Sequence, residues 1–357
     1  MKKTKVLHYI RHMGLGGTEK TCQLLASHTN PNEFECAVAY DEHGHHPRRD
    51  EFEKTGIELY PVDKSIKPLI HNFKPDIIHV YRSGFPEFPT PGKDFDPRGI
   101  AFVETNVFGQ LDDSPYITKT LFMSDWLMKD TLRRQPGVPY GHPRFDFVNN
   151  PVEEPYTSKT YEVADRWHDE GAIILGRCGR PDNGIYHALN TRSAFLLRQE
   201  GHDVRFMIVA PPSNMLQDLA DWDVPFHVIE PTIEPLALSM FYNSVDIYTH
   251  ARADGETFGV NIAEAMIHGL PVVTHVAEPS MMGMSVFQSQ TELVDHNTTG
   301  LVVPNDLGEY RDAVRQLVED PALRRQMGNA GLVKAMREYR VDVCVNKLEG
   351  IYRELVS

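Results

Sequence analysis

The feature that most constrains this chain is an alternation that runs almost from end to end, in which short β-rich apolar runs are separated by longer stretches with helical spacing. VLHYI (6–10), CAVAY (36–40), IELYPV (57–62), DIIHVY (76–81), AFVETNV (101–107) and KTLFMS (119–124) read as buried strands. A second series follows after a gap: AIILGRC (172–178), VRFMIVA (204–210), FHVIE (226–230), VDIYTHA (245–251), PVVTH (271–275) and GLVVP (300–304). Strands of this kind, alternating with helices, form parallel sheets covered on both faces. The expectation is an α/β chain of two doubly wound domains over residues 1–150 and 172–338. A linker rich in Pro, Thr and charge covers 151–171, and a last helix covers 339–357, with Val341, Val345, Leu348, Tyr352 and Leu355 on one apolar stripe. Two such domains would set the carboxyl ends of their strands across a cleft, where ligands of doubly wound sheets bind.

Composition excludes several function classes. A chain of 357 residues with 41% hydrophobic content can bury two cores. The net charge of -14 is uneven: residues 1–150 hold 19 Lys and Arg against 20 Asp and Glu, and the later residues hold 17 against 30. So acidic a second half is a poor partner for nucleic acid, and any phosphate must be met by a few well-placed groups. Cys22, Cys36, Cys178 and Cys344 are scattered without ligand spacing, which points away from a disulfide framework or a zinc site and toward a reducing cytoplasm. The apolar run after the first lysines stops at Arg11, too short for a secretory core, and no later run approaches a membrane-spanning length.

The densest chemistry lies in ADGETFGVNIAEAMIHGLPVV, residues 253–273. Strand VDIYTHA leads through a loop into a helix that begins near Phe258 to Asn261, and a helix N-terminus offers amides and a positive dipole end to an anion. Glu264 lies four residues after Val260, on the same helical face as that amide end. One carboxylate before the helix and one a turn inside it would flank a phosphate ester and accept from hydroxyls on either side.

This stretch resembles the E-x7-E signature of glycosyltransferase family 4, retaining enzymes of the two-domain GT-B fold that use sugar nucleotides. The resemblance gives Glu256 the donor sugar and Glu264 the ribose. It gives the diphosphate to the backbone at Phe258, Gly259, Val260 and Asn261. GRCGRPDNG (176–184) matches the family's GR pair at Arg177, but the family's phosphate-binding lysine, six residues on, is Asn183 here. Arg180, in the same loop, is the expected substitute for the missing charge. The loop RHMGLGGTEK (11–20) matches the family's GG-x-E loop at Gly16 and Gly17, which implies donor contact, with Glu19 at its acidic position. Read instead as a dinucleotide fingerprint, it would need a glycine where Glu19 stands, which demotes a dehydrogenase that Asp41 otherwise keeps in view. Many family members carry a histidine near the place of Asn106. Asn binds a sugar hydroxyl but takes no proton, so no general base is assigned.

Other features point elsewhere more weakly. His43, His45 and His46 crowd one loop without an ordered ligand spacing. The DFD (94–96) and DWD (221–223) triplets imitate a metal motif of the other main glycosyltransferase fold, whereas the GT-B resemblance implies no metal and no cofactor. Arg82 and Ser83, at the end of DIIHVY, are acceptor-side candidates. SDWLMKDTLRRQ (124–135) reads as an ordinary helix that packs Trp126 inward, and at most as a peripheral membrane contact.

The expected function is transfer of a sugar, with retention, from a nucleoside-diphosphate sugar to the hydroxyl of a saccharide, glycolipid or other acceptor, in polysaccharide or glycoconjugate synthesis. Arg177, Arg180 and Glu256 are the expected catalytic residues. The alternatives are a non-catalytic sugar-nucleotide-binding protein, for which Asn183 and Asn106 speak, and an epimerase or phosphorylase on the same fold.

Overall fold

Adjacent apolar residues leave β1 (Thr4–Ile10) no wet face: Val6 and Leu7 are wholly buried, and the strand sits in the middle of a parallel sheet. The computed structural model describes residues 2–82, 96–112, 114–135, 137–279 and 286–357. It divides into two compact units, Met1–Pro151 with Tyr339–Ser357, and Val152–Glu338.

In the first unit β1 is joined by β2 (Phe34–Asp41), β3 (Glu58–Val62), β4 (Ile77–Arg82), β5 (Ala101–Asn106), β6 (Lys119–Phe122) and β7 (Phe145–Phe147), in the order β3-β2-β1-β4-β5-β6-β7. Every pairing is parallel. The helices between them are α1 (Gly17–His28), α2 (Arg49–Lys54), α3 (Lys67–Phe73) and α4 (Asp125–Arg133). α4 is capped by Ser124, which accepts from the Leu127 amide, and it buries Leu127, Met128 and Leu132 while Trp126 stays half-exposed.

The second unit begins with α5 (Glu162–Asp169), which buries Trp167. Residues 152–171, read from composition as a linker, therefore fold within this unit. Its sheet holds β8 (Ile173–Cys178), β9 (Val204–Val209), β10 (Phe226–Ile229), β11 (Ile247–Thr249), β12 (Val272–His275) and β13 (Gly300–Val303), all parallel, in the order β10-β9-β8-β11-β12-β13. Around it lie α6 (Leu189–Gln199), α7 (Ser213–Asp221), α8 (Pro235–Asn243), α9 (Val260–Ile267), α10 (Gln290–Leu293), α11 (Leu307–Glu319) and α12 (Pro321–Glu338).

The chain then supplies the first unit with a last helix, α13 (Val341–Val356). Its stripe of Val345, Leu348, Ile351 and Tyr352 is buried in the core formed with β1, β2 and α1. Two polar contacts fix its register: the Asn30 amide donates to Glu349 Oε1 at 2.7 Å, and the Tyr352 hydroxyl lies 2.6 Å from Nδ1 of the buried His79. Of the observed strands only β7 was not foreseen; it is three residues long and half-buried throughout. Among the described residues no helix is long and apolar enough to cross a membrane.

Candidate functional site

In both sheets the strand order reverses beside the first strand of the unit, between β1 and β4 and between β8 and β11. The chain leaves neighbouring strands there in opposite directions, which opens a crevice at their carboxyl ends. In the second unit Arg177 is the penultimate residue of β8. It is 6% exposed and lies against the backbone of Gly179, where an added Cβ would stand 3.3–3.4 Å from the terminal guanidinium atoms. Its Nη1 is buried with no hydrogen-bond partner among the described residues, and burial pushes its pKa down. A buried cation with an unused donor is costly unless an anion meets it.

Across the switch point, β11 runs into the loop that carries Glu256. Gly255 has φ +68, and an added Cβ there would stand 1.8 Å from the Phe287 carbonyl oxygen, so the loop and the 287–290 segment close on each other through a glycine. The segment pairs with the loop almost like a strand. Phe287 N donates to Asp254 O, Ser289 N to Glu256 O, and Glu256 N to Gln290 Oε1, at 2.9–3.0 Å. The Glu256 carboxylate is held on both oxygens: Oε1 lies 3.2 Å from His250 Nε2 and Oε2 3.5 Å from Arg252 Nη1. Burial alone would raise its pKa, but Arg252, the His250 hydrogen bond and Arg180 outweigh burial and hold it below the ordinary value.

Gly259, at φ +103, turns the chain into α9. The amides of Ile262 and Ala263 return to Gly259 O, so those of Gly259, Val260 and Asn261 are the ones that the helix leaves without an intrahelical acceptor. Asn261 Nδ2 donates to Cys178 O at 2.8 Å and ties this amide end to the end of β8, next to Arg177. One turn further on, Glu264 Oε2 accepts from the Tyr242 hydroxyl at 2.8 Å. Arg177, Glu256, Glu264 and the residues Gly259 to Asn261 thus share one end of one sheet.

Other expected donor-site residues are placed differently. The Phe258 side chain is 1% exposed and anchors the loop in the core, so this residue shows no side chain to a ligand. Asn183, at the lysine position, accepts from the Asn214 amide at 3.0 Å and donates to Ser213 Oγ at 2.9 Å; it fastens the start of α7. Arg180 is exposed and acts on Glu256 through its charge.

The first unit brings more corrections. Asn106 is wholly buried: its Nδ2 donates to Gln110 O at 2.6 Å and its Oδ1 accepts from the Gly109 amide at 2.8 Å, so it shapes its own loop and shows nothing to a sugar. Arg82, an acceptor-side candidate, is also internal, bonded to Glu104 at 3.1 Å and to Asp112 at 2.7 Å. A guanidinium with two buried carboxylates on it is structural. Ser83 lies outside the described residues, as do Asp94 and Phe95 of the DFD triplet. Gly16 is the N-cap of α1 and Gly17 its first residue, and the Glu19 carboxylate folds back over Gly14 and Gly16, where an added Cβ on Gly16 would stand 2.5 Å from Oε2. The glycine loop is pinned from below by the buried Arg48, whose Nε donates to Gly14 O at 3.2 Å, and by His46, whose Nδ1 accepts from the Met13 amide at 3.1 Å. His43 instead faces Asp63 at 2.9 Å. Among the described residues no group of three or more His, Cys, Asp or Glu side chains is placed to hold a metal ion.

The geometry agrees with sequence comparison, in which residues 171–320 match the family model described as glycosyl transferases group 1. The second unit is a glycosyl transferases group 1 domain. A stretch of 101 residues, 28% of this chain, is 33% identical to alpha-D-kanosaminyltransferase of Streptomyces kanamyceticus and covers 24% of that protein's length. Among solved structures, a glycosyltransferase from Rickettsia africae ESF-5 aligns over 100% of both chains with a TM-score of 0.78 at 14% identity. Anabaena HepE, solved with UDP and glucose, aligns over 98% of this chain and 99% of its own with a TM-score of 0.72 at 15% identity. The fold is that of the GT-B glycosyltransferases, two Rossmann-like α/β units.

Within the group 1 domain, four residues that hold the glutamates escaped the sequence reading: His250, Arg252, Tyr242 and Gln290. Only His250 left a usable signal, as a titratable side chain directly after a strand at the ligand end of a parallel sheet. Chemically the site offers the buried Arg177 guanidinium, a helix amide end and two anchored carboxylates. That set suits an ester of an anionic diphosphate whose flanking groups carry hydroxyls.

Proposed function

We propose that this protein is a retaining, nucleotide-sugar-dependent glycosyltransferase that binds its donor in the group 1 domain. The observation that carries the reading is the buried Arg177, whose Nη1 has no partner among the described residues, beside the amide end of α9 at the sheet end that also carries Glu256 and Glu264. In the proposed reaction the bond from the anomeric carbon to the diphosphate oxygen breaks, and a bond from the same face to the acceptor oxygen forms. The acceptor proton passes to the departing diphosphate. Arg177 and the amides of Gly259 to Asn261, with Arg180 at the rim, stabilise the charge that grows on the leaving group, and this is the main catalytic term. Glu256 accepts from the donor sugar and Glu264 from the ribose. No metal is included, because the guanidinium and the helix end meet the diphosphate charge.

The acceptor is a saccharide, glycolipid or other hydroxyl compound of polysaccharide or glycoconjugate synthesis, reached by peripheral contact if it lies in a membrane. The four cysteines are all free thiols, which fits the cytoplasm. HepE's complex with UDP makes uracil the first base to test. A thermal-shift screen with UDP, GDP, ADP and dTDP and their sugars, with and without EDTA, should give a rise for one base that is lost in Arg177→Ala and Glu264→Ala. Product made from the selected donor should keep the donor's anomeric configuration by NMR. A nucleotide that binds but never turns over would favour the second reading, a binding protein, for which the commitment of Asn183 to α7 speaks.

A further inference from the structure

We infer that His250, backed by Thr274, is a positioning residue that holds Glu256 in the orientation that receives the donor sugar; the inference rests on the donor-site reading above. β11 and β12 are parallel, with Thr249 paired to Val273, so the next residues, His250 and Thr274, stand side by side at the ligand end of the sheet. The His250 amide locks the level by donating to Val273 O at 2.8 Å. The imidazole is 5% exposed and spans two partners, Thr274 Oγ1 at 3.0 Å from Nδ1 and Glu256 Oε1 at 3.2 Å from Nε2.

The partners decide the tautomer. A carboxylate can only accept, so Nε2 carries the hydrogen, while Nδ1 meets the wholly buried Thr274 hydroxyl, which can serve it as donor or acceptor. A rigid strand thus delivers a directional bond to one oxygen of Glu256. Arg252 does not supply this, because its contact with Oε2 is long, at 3.5 Å, and its fork is spent on Asp254, with Nη2 to Oδ2 at 3.0 Å. The backbone of Glu256 is fixed separately by Gln290. Without the imidazole, the carboxylate keeps its place in the loop but loses its fixed plane, and a hydrogen bond to a sugar hydroxyl depends on that plane.

The sugar is therefore the part of the donor that should feel the loss. Isothermal titration of the full chain with UDP and with UDP-glucose, or the matching pair for the base selected above, separates the two contributions. His250→Ala should weaken the sugar nucleotide at least about ten-fold while it binds the free diphosphate as the unaltered chain does. His250→Gln, which places an N–H near Nε2, should recover most of the loss. Equal weakening of both ligands, or no rescue by Gln, would make His250 a merely structural residue and overturn the inference, as would unchanged affinities in His250→Ala. If the unaltered chain binds neither ligand of any pair, the donor-site reading has failed and the inference falls with it.

Discussion

Tyr242 reaches from α8 to α9 and donates its hydroxyl hydrogen to Glu264 Oε2 across 2.8 Å. Burial pushes the phenol well above its ordinary pKa, so it stays a donor at every working pH. Tyr242→Phe keeps the ring and removes the bond. Because the acceptor is charged, the cost should be about 2 kcal/mol of folding stability, read by urea unfolding. Affinity for a ribose diphosphate should fall more than affinity for its 2′,3′-dideoxy analogue, which titration of both would reveal.

Arg177 should show stability and binding moving in opposite directions. Its buried Nη1 has no partner among the described residues, so Arg177→Met removes an uncompensated donor and charge. The ligand-free protein should gain about 1–3 kcal/mol, seen as a higher unfolding midpoint, while the midpoint no longer responds to nucleoside diphosphates. A lower midpoint would mean that the guanidinium is satisfied in the free protein.

Gly255 tests how far Glu256 depends on its loop. An alanine there adds a Cβ 1.8 Å from Phe287 O at a φ of +68. The loop and the 287–290 segment must then part, at a cost of about 2–4 kcal/mol. Donor turnover should fall with the stability, in contrast to the His250 variants, and parallel unfolding and activity curves would separate the two cases.

The buried His8 makes the first unit sensitive to acid. Burial holds its ring to a pKa of about 3, against an ordinary value of 6.5. Between these values the unfolded chain takes up a proton that the folded chain refuses. Its contribution is therefore complete above about pH 6.5 and is lost progressively as the pH falls toward about 3. Between pH 7 and pH 5 this one residue should account for about 2 kcal/mol of lost stability. His8→Leu should flatten the pH dependence of urea unfolding by that amount.

The architecture was legible because each strand is a compact apolar run and each helix follows it locally, so the doubly wound pattern needs no long-range information. β7 was missed because Phe145–Phe147 is too short and too wet to make such a run. The Glu256 to Glu264 spacing was readable for the same local reason: a glycine turn and a helix fix it. Arg82 and Asn106 misled, since a residue type at a strand end does not reveal its partners. Those of Arg82 come from β5 and from Asp112, and those of Asn106 from a loop that folds back on it. Tyr242 and Gln290 stayed hidden because their tasks appear only when separate strands and helices meet, whereas the place of His250 directly after a strand could have been read.

The return of α13 to the first unit also sets an order of events during synthesis. A ribosome releases the β1 sheet long before it releases Leu348 and Tyr352, which complete that sheet's core. Until then His79 lacks its tyrosine partner and the surface that α13 will cover stays wet. The group 1 domain has no such debt and can close as soon as α12 emerges. The unit made first is thus the unit finished last, and a nascent chain stalled after α12 has emerged but before α13 has would carry a completed second unit behind an open, aggregation-prone first one.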